Sequence, residues 1–479
     1  MRKLVVISGC FILILCLSFN VFADHSPQST GKGGTGVIDM GLPALYLNPA
    51  SVHPDNGSLF SMELGFQTGQ GNNQFNLNDL ANFPDLEKKE NALDLFRDLE
   101  EDGLFGYQDL NTGLRFRATP SPDVNGSFTG FGGLNGVSGG NIGGDLFQFH
   151  ADLIEIDEDE ENERDELSLM SDIKYEDSGV EAAYYLDRGI GFSYALTEDM
   201  MEKMSGKLKA SLQSLQVNRL ALGTNLHHLK GGVIAASHDA KIDFTEIEVQ
   251  GESRHIPAGE INFRGVDSQI NEEEWKASGW AMDMGFYSEF KNTYALGFSV
   301  QNLISNLSSA DGNKLDGKIE FNKDKIREDI LNYMDKEDEK FEDARGMVLD
   351  DIIDEFEEAE EDWLQEKTDI DYSLPAIIRL GGSIEATERI TVSAGTTYKY
   401  HRYIPDNIEL GMGLESNIYG PLILRNGLNY SRFRDGLELN TGFGVDTDHF
   451  SFDIAFSDMR AVFGSGKSIE IGTAMGVNF

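Results

Sequence analysis

Beyond its first two dozen residues this chain has no cysteine. Of 479 residues, only Cys10 and Cys16 are cysteines, and both lie in an apolar N-terminal stretch. Once that stretch is removed, no thiol, disulfide or Cys-ligated metal remains. Cationic charge is also scarce: 39 Lys and Arg stand against 82 Asp and Glu, a formal net charge of −43. Phosphate recognition needs the opposite balance, so nucleic acid is excluded as a partner. No later run approaches the ~20 apolar residues of a membrane-crossing helix. A large acid surplus would suit a disordered chain, or a source in high salt where self-repulsion is screened. The 30 Phe, 15 Tyr and 52 Gly argue instead for strands and turns over most of the length.

A catalytic set is missing as well. The nine histidines are scattered. His227 and His228 are adjacent, so in a strand they point to opposite faces and cannot chelate together. No pair of histidines has the helical spacing of a zinc site. The run from Asp157 to Glu166 would attract Ca²⁺ loosely, but it lacks the sixth-position glycine of a dedicated calcium loop. Gly31-Lys32-Gly33-Gly34-Thr35-Gly36 has neither the preceding strand nor the residue order of a nucleotide-binding loop. The sequence therefore predicts no enzyme activity, no cofactor and no metal.

Residues 1–23 read as a secretory signal. Arg2 and Lys3 precede an apolar run, and Val21-Phe22-Ala23 places small residues at the cleavage positions ahead of Asp24. A retained anchor is disfavoured because Ser8, Gly9, Ser18 and Asn20 interrupt the run and no basic stop-transfer follows. An acylated Cys16 is disfavoured because Leu17 and Phe19 carry the run past it. Cleavage removes two positive charges, taking −43 to −45.

What is present in abundance is alternation. In Ile469–Phe479, Ile469, Ile471, Thr473, Met475, Val477 and Phe479 share one parity; Glu470, Gly472, Ala474, Gly476 and Asn478 share the other. Strand side chains alternate faces, and ten to eleven residues is about the length of a tilted strand crossing a bilayer. The same pattern marks Phe60–Phe66, Phe147–Leu153, Val180–Leu186, Ile190–Leu196 and Leu220–Leu226, with a weak run at Ala240–Val249. Asp187-Arg188-Gly189 reads as a turn between two of these strands. Trp280–Asn302 reads as a hairpin turning at Lys291-Asn292, and strand follows strand from Pro375 onward. A soluble sandwich would alternate too. The apolar parity of the strongest strands, however, carries no charge, where a Lys or Arg would cost roughly 2–4 kcal/mol at the bilayer midplane. The expected fold is all-β: a transmembrane antiparallel β-barrel of about 14 strands, within a range of 14–18, the one strand architecture that satisfies every backbone group in lipid.

Acidic insertions near 77–102, 153–172, 200–216 and 322–371 interrupt the strands. The first has Leu86, Leu93, Phe96 and Leu99 at helical spacing; the last has Ile326, Ile330, Phe341, Val348, Ile352 and Trp363 among many carboxylates. They are expected outside the bilayer, most simply on the side with long loops. A solvated acidic face is the plain account of them, and docking of an envelope protein the sharper one.

The N-terminus carries a more specific pattern. Gly33-Gly34-Thr35-Gly36-Val37, followed by Ala44-Leu45-Tyr46-Leu47-Asn48-Pro49-Ala50-Ser51, resembles the N-terminal motif of the long-chain fatty-acid transporter superfamily of outer-membrane barrels. Ala281–Gly285 leading to Leu296–Leu303 is similar to a second recurrent hairpin of that group. The acidic insertions sit better with its conjugal-transfer TraF-like branch. The resemblance implies a hatch over residues 24–54, with Gly33, Gly34, Gly36, Asn48, Pro49 and Ala50 as its motif, and a barrel over 55–479. Pro49 fixes its own φ and biases Asn48 away from helix, as an irregular plug requires. The alternative is that Asn48-Pro49 merely leads into the first strand. Val477 and Phe479 resemble the signal read by the barrel assembly machinery. The expected location is the outer membrane of a diderm bacterium, among its lipids. Three functions fit: a passive channel for a hydrophobic ligand, a structural or assembly component of an envelope, conjugation or secretion system, and a general porin.

Overall fold

The computed structural model describes the chain from residue 26 to 479, apart from 53–57, 77–88, 100–102, 121–125, 145–146, 149–172, 198–199, 202–205, 207–209, 211, 213, 250–251, 269–275, 292, 338–340, 342–343, 345–346, 349–350, 352–366, 401–405 and 433–435. The signal at 1–23 and the insertion at 153–172 lie outside the described residues.

Sixteen strands follow in order: β1 (Phe60–Asn72), β2 (Leu104–Ala118), β3 (Gly126–Ile142), β4 (Ile173–Thr197), β5 (Val217–Val249), β6 (Glu252–Asp267), β7 (Ala277–Phe290), β8 (Tyr294–Phe321), β9 (Lys367–Tyr372), β10 (Ala376–Thr387), β11 (Ile390–Tyr400), β12 (Asn407–Tyr419), β13 (Leu422–Ser431), β14 (Gly436–Asp446), β15 (Phe450–Ser457) and β16 (Ser468–Asn478). Fourteen of them close a ring. β1 to β5 pair in sequence, β5 pairs β7, β7 pairs β8, β8 pairs β10, and β10 to β16 continue until β16 returns to β1. Closure runs antiparallel from Ser61↔Asn478 to Gly71↔Ser468. The result is an all-β, closed, 14-stranded antiparallel barrel. β6 and β9 lie off the ring: β6 pairs the outer half of β5 and of β8, and β9 pairs β8.

The wall shows why these residues need lipid. Side chains of one parity face outward and are apolar, with Leu64 53%, Leu222 62% and Met412 60% exposed. The opposite parity turns Glu63, Asn225, Asp283, Arg379, Arg425 and Glu470 inward, all buried. An apolar surface continuous around a barrel exceeds what a soluble monomer exposes, and it matches the lipid-facing band of a membrane barrel. Among the described residues no helix is long and apolar enough to cross a membrane.

Antiparallel meandering puts both chain ends at one end of the barrel, here the terminal end, together with the tight turns at 388–389, 420–421 and 447–449. At the far end lie the longest connections. The helix Lys89–Leu99 buries Leu95, Phe96 and Leu99, and its Phe96 ring lies 6.1 Å from Phe147. The helix Lys323–Glu337 sets Ile326 and Ile330 against Ile247, Val249 and Ile256 at the tip of the β5–β6 hairpin.

Several expectations need correction. Asp187-Arg188-Gly189 is not a turn: β4 runs unbroken through it, because Asp187, Arg188 and Gly189 pair with Leu229, His228 and His227 on one side and with Gly133, Gly132 and Phe131 on the other. Ala240–Val249 is not a separate strand but the distal part of β5. Phe147 stands in helical backbone, not in a strand; the rest of that set, Phe149 to Leu153, lies outside the described residues. The insertion at 200–216 joins β4 to β5 at the terminal end, opposite the other insertions. The insertion at 322–371 is not helical to its end, because Lys367–Tyr372 forms β9, added to the edge of β8.

Candidate functional site: the plugged lumen

Residues 26–52 fill the barrel interior. Ser26 opens a short helix, Pro27–Gly31, accepting from the Ser29 amide at 3.1 Å, with Pro27 preset at the first helical position. The chain then turns at Gly33 and Gly34, whose φ angles are 69° and 82°. These are left-handed values that cost glycine nothing. A Cβ on Gly33 would lie 2.5 Å from the Leu428 carbonyl oxygen and 2.9 Å from that of Met412. The wall is bare at this point, because Gly411 and Gly427 face the same turn. Gly36 is buried, and its amide donates to the Ser29 hydroxyl at 3.0 Å.

Asn48 ties the plug to the opposite wall. Its side-chain amide donates to the Val37 carbonyl and to the Phe286 carbonyl of β7, each at 2.9 Å, while its oxygen accepts from the Ala50 amide at 3.1 Å. The Pro49–Ala50 backbone passes against Gly223 of β5 and Gly285 of β7, where any side chain would collide with it. Asn225 donates to the Leu45 carbonyl at 2.8 Å, and the Ser299 hydroxyl donates to that of Leu47. Gly33 thus meets the wall at one docking point and Asn48, Pro49 and Ala50 at another, while Gly36 packs within the plug against Ser29 and Leu47.

Buried ion pairs surround the plug. Lys32 pairs with Asp39 within it and lies 3.7 Å from Glu415 on β12. Arg425 bridges Glu415 at 2.8 Å and Asp453 at 2.5 Å, and Gln28 donates to the same Asp453 at 3.0 Å. Thr30 donates to Glu470 at 2.7 Å. Across the lumen, Arg115 pairs with Glu63 at 2.9 Å and stacks over Tyr46 at 4.8 Å. A guanidinium or carboxylate enclosed in this way persists only with such partners.

Sequence reasoning missed the centre of the lumen. His227 is held between Asp187 (Nδ1 to oxygen, 3.0 Å) and Asp283 (Nε2 to oxygen, 2.8 Å). Its ring lies 4.8 Å from Phe131 and 6.4 Å from Tyr46 of the plug. Asp283 also accepts from the Asn302 amide at 3.0 Å, beside an irregularity in the β7–β8 register. The expectation that His227 and His228 face opposite ways is met: one is buried in this cluster, and the other lies on the outside of the wall. His227's partners lie 40 and 56 residues away in sequence, and nothing local announces them.

Two cavities flank the plug. Toward the terminal end a polar space of about 620 Å³ is bordered by Lys32, Asp39, Glu63, Arg117, Glu289 and Glu415. On the other side about 40 Å³ remains among Tyr46, Asp187, His227, Asp283 and Gln301, room for about one water. Beyond it the lumen is apolar: Tyr185, Leu229, Leu307, Ile370, Tyr372 and Leu374 pack together. Tyr372 of β9 donates to Glu181 there. From the terminal end outward the order is polar vestibule, plug, histidine cluster, apolar cluster. Among the described residues no group of His, Cys, Asp and Glu has the arrangement of a metal site.

At the C-terminus, Val477 pairs with Met62 and Phe450 on the two flanking strands. Phe479 donates its amide to the Phe60 carbonyl at 2.8 Å, and its ring, 74% exposed, lies 6.3 Å from that of Phe60.

No family model matches this chain, and neither does any curated protein. Among solved structures it is similar to the toluene transporter TbuX of Ralstonia pickettii, at 12% identity over 96% of this chain and 98% of that one, with a TM-score of 0.44. A FadL homologue of Pseudomonas aeruginosa gives 10% identity, 96% and 99% coverage and a TM-score of 0.44. The Pseudomonas putida toluene transporter TodX gives 12%, 96%, 98% and 0.42. Likenesses of this order say nothing of cargo. The barrel follows from the strand register itself.

Proposed function

We propose that this chain is a passive channel for a hydrophobic small molecule in the outer membrane of a diderm bacterium, with residues 26–52 as the gate. In such barrels the short turns face the periplasm and the long loops the exterior. The terminal end is then periplasmic and the far end extracellular. The observation that carries the reading is the sequence of compartments. An apolar cluster lies on the extracellular side of a hydrogen-bonded plug, and a solvated vestibule lies on the other. A hydrophobic solute entering from outside would pass by parting the packed cluster of Tyr185, Leu229 and Tyr372, and displacement of the plug would release it toward the periplasm. The wall needs no rearrangement for this, since the plug is held by hydrogen bonds and ion pairs rather than by strand pairing. A general porin would need an open lumen, and this one is filled.

The test is uptake of a labelled hydrophobic solute into liposomes containing the purified barrel, beside the conductance of planar bilayers. The channel reading expects saturable uptake with little steady conductance. Large, steady conductance, or uptake equal to that of empty liposomes, would overturn it.

A second reading, as a structural or assembly component of an envelope, conjugation or secretion system in the manner of the TraF-like branch, is favoured by one observation. The helix Lys323–Glu337 and the tip of the β5–β6 hairpin share a buried core of their own, a folded surface available to a protein partner. Native mass spectrometry of the extracted protein discriminates: a retained hydrophobic ligand supports the channel, a stoichiometric protein partner the assembly role. In either role Val477 and Phe479 are proposed as the feature recognised by the barrel assembly machinery.

A further inference from the structure

The outer wall carries little charge. Across its apolar band, Arg188 and Lys230 are the charged side chains on the outward face among the described residues, and His228 stands between them; Lys241 on β5 and Lys314, Asp316 and Lys318 on β8 are exposed too but stand farther from the terminal end. All three are exposed. Arg188 is paired directly across β4–β5 with His228, and Lys230 with Leu186. His228 is in turn opposite Trp280 on β7, ring against ring at 5.0 Å and 66°. Trp280 is 55% exposed. On the other side Arg188 faces Gly132 of β3, a position with no side chain to cover its stem; a Cβ there would come within 3.9 Å of Arg188 Cγ. Neither Arg188 nor Lys230 has an ion-pair partner among the described residues. Asp371, a carboxylate in the row of Lys230, stands three strands over, about 14 Å at the usual strand spacing, and accepts from Asn306.

Their height on the wall is the second observation. Arg188, His228 and Trp280 stand nine, eleven and ten positions from the terminal-end residues Thr197, Val217 and Phe290 of their strands. At about 3.3 Å per residue and a tilt of about 40°, each lies roughly 23–28 Å from that end, which is the height of the apolar band of such barrels. Two cations, an imidazole and an indole therefore sit where the hydrocarbon of the outer leaflet gives way to headgroups. Cations buried among lipid tails would be costly, but at that boundary they meet phosphate. In a chain with a net charge of −43, an unpaired basic cluster needs a specific anionic counterpart.

We propose that Arg188, His228 and Lys230, with Trp280 as the aromatic floor, form a binding site on the outer wall for a phosphorylated lipid headgroup of the outer leaflet, of the lipid A type. Arg188 supplies paired donors to the phosphate oxygens and Lys230 a second point charge. The Trp280 ring packs on the proximal part of the acyl chains, where amphipathic aromatics settle at membrane interfaces. The inference rests on the outer-membrane placement above but not on transport, since a barrel that carries nothing would bind the lipid equally.

The experiment is native mass spectrometry of the full-length barrel, extracted in mild detergent and titrated with bisphosphorylated lipid A, with fully dephosphorylated lipid A as the comparison. The wild type should retain the phosphorylated lipid at least tenfold more than the Arg188→Ala/Lys230→Ala double variant, and the dephosphorylated lipid no better than the variant does. Arg188→Gln and Lys230→Gln, which keep the stems, should each lose part of the binding and serve if the double variant fails to reach the heat-modifiable folded form. Millimolar inorganic phosphate should not displace the lipid. Equal retention by wild type and variants overturns the proposal. So does indifference to the lipid's phosphates, or displacement by inorganic phosphate, which would make this a soluble-anion site. Solute uptake measured on the same variants should be unchanged, so a failure of transport and a failure of lipid binding are read separately.

Discussion

The side-chain amide of Asn48 lies 2.9 Å from the carbonyl oxygen of Phe286, so one plug residue caps a backbone acceptor on a strand 238 positions away. The same amide nitrogen reaches the Val37 carbonyl. One side chain therefore holds the plug's own fold and its attachment to β7 together.

Asn48→Ala removes both donated bonds, a cost of about 1–3 kcal/mol in all at the usual net worth of a hydrogen bond. If the plug gates the lumen, that shifts its open population by about 5- to 150-fold. Planar-bilayer recordings should show brief openings far more often than in the wild type. A variant as silent as the wild type would remove Asn48 from the gate.

Gly33→Ala tests the other docking point. The substitution places a methyl group on a backbone with φ of 69° and within 2.5 Å of the Leu428 carbonyl oxygen. The strain is worth about 1 kcal/mol from the backbone alone, before the collision is counted. The barrel should fold with unchanged heat-modifiability, while the plug becomes cleavable by protease added from the terminal end. Resistance equal to the wild type would show that the turn tolerates a side chain.

His227→Leu strips two buried carboxylates of their shared partner. Breaking an enclosed pair in this way costs about 3–5 kcal/mol, so the urea midpoint for unfolding from lipid vesicles should fall markedly. Adding Asp187→Leu and Asp283→Asn should recover most of the loss. The uncompensated charges are then gone, and the side-chain oxygen introduced by the second change still accepts from the Asn302 amide. If the triple variant were less stable than the single one, the charge cluster would be net stabilising.

Deleting 323–366 should leave the fourteen-stranded ring and its midpoint intact while loosening the β5–β6 hairpin tip and the outer end of β8, whereas deleting 323–372 should lower the midpoint of the ring itself. The longer deletion takes Ile370 and Tyr372 out of the luminal apolar cluster and uncovers Leu229 and Leu307. Burial of each such side chain is worth about 1.5–3 kcal/mol. Thermal unfolding followed by gel mobility would distinguish the two; equal midpoints would mean that β9 adds nothing to the core.

Much of the architecture is written in period two. The outward parity of β1, β7, β12, β14 and β16 is mainly apolar and carries no charge, and neighbours on both sides impose the register that local alternation suggests. Asn48-Pro49 and Gly33-Gly34 stand out in the sequence because they are restrictive or permissive residues whose backbone options differ from those of their neighbours. Reading failed where long-range pairing overrode local preference. Asp187-Arg188-Gly189 has the composition of a turn, yet β3 and β5 hold it extended by paired backbone bonds on both edges. The weak alternation of Ala240–Val249 reflects its position beyond the lipid, where β6 rather than a membrane covers it. The histidine cluster is assembled from three strands, and no window of sequence contains it.

The length of β5 has a mechanical consequence. Residues 234–242 pair with β4 on one edge and β6 on the other, and only 243–249 pair with β6 alone, so the hairpin stands free of the ring for roughly 23 Å of strand at about 3.3 Å per residue. It forms a mast rooted in the same strand that carries His227 on one face and Lys230 on the other. The acidic helix packed at its tip is held well clear of the lipid plane, and a load applied there would be transmitted along continuous backbone to the wall beside the plug.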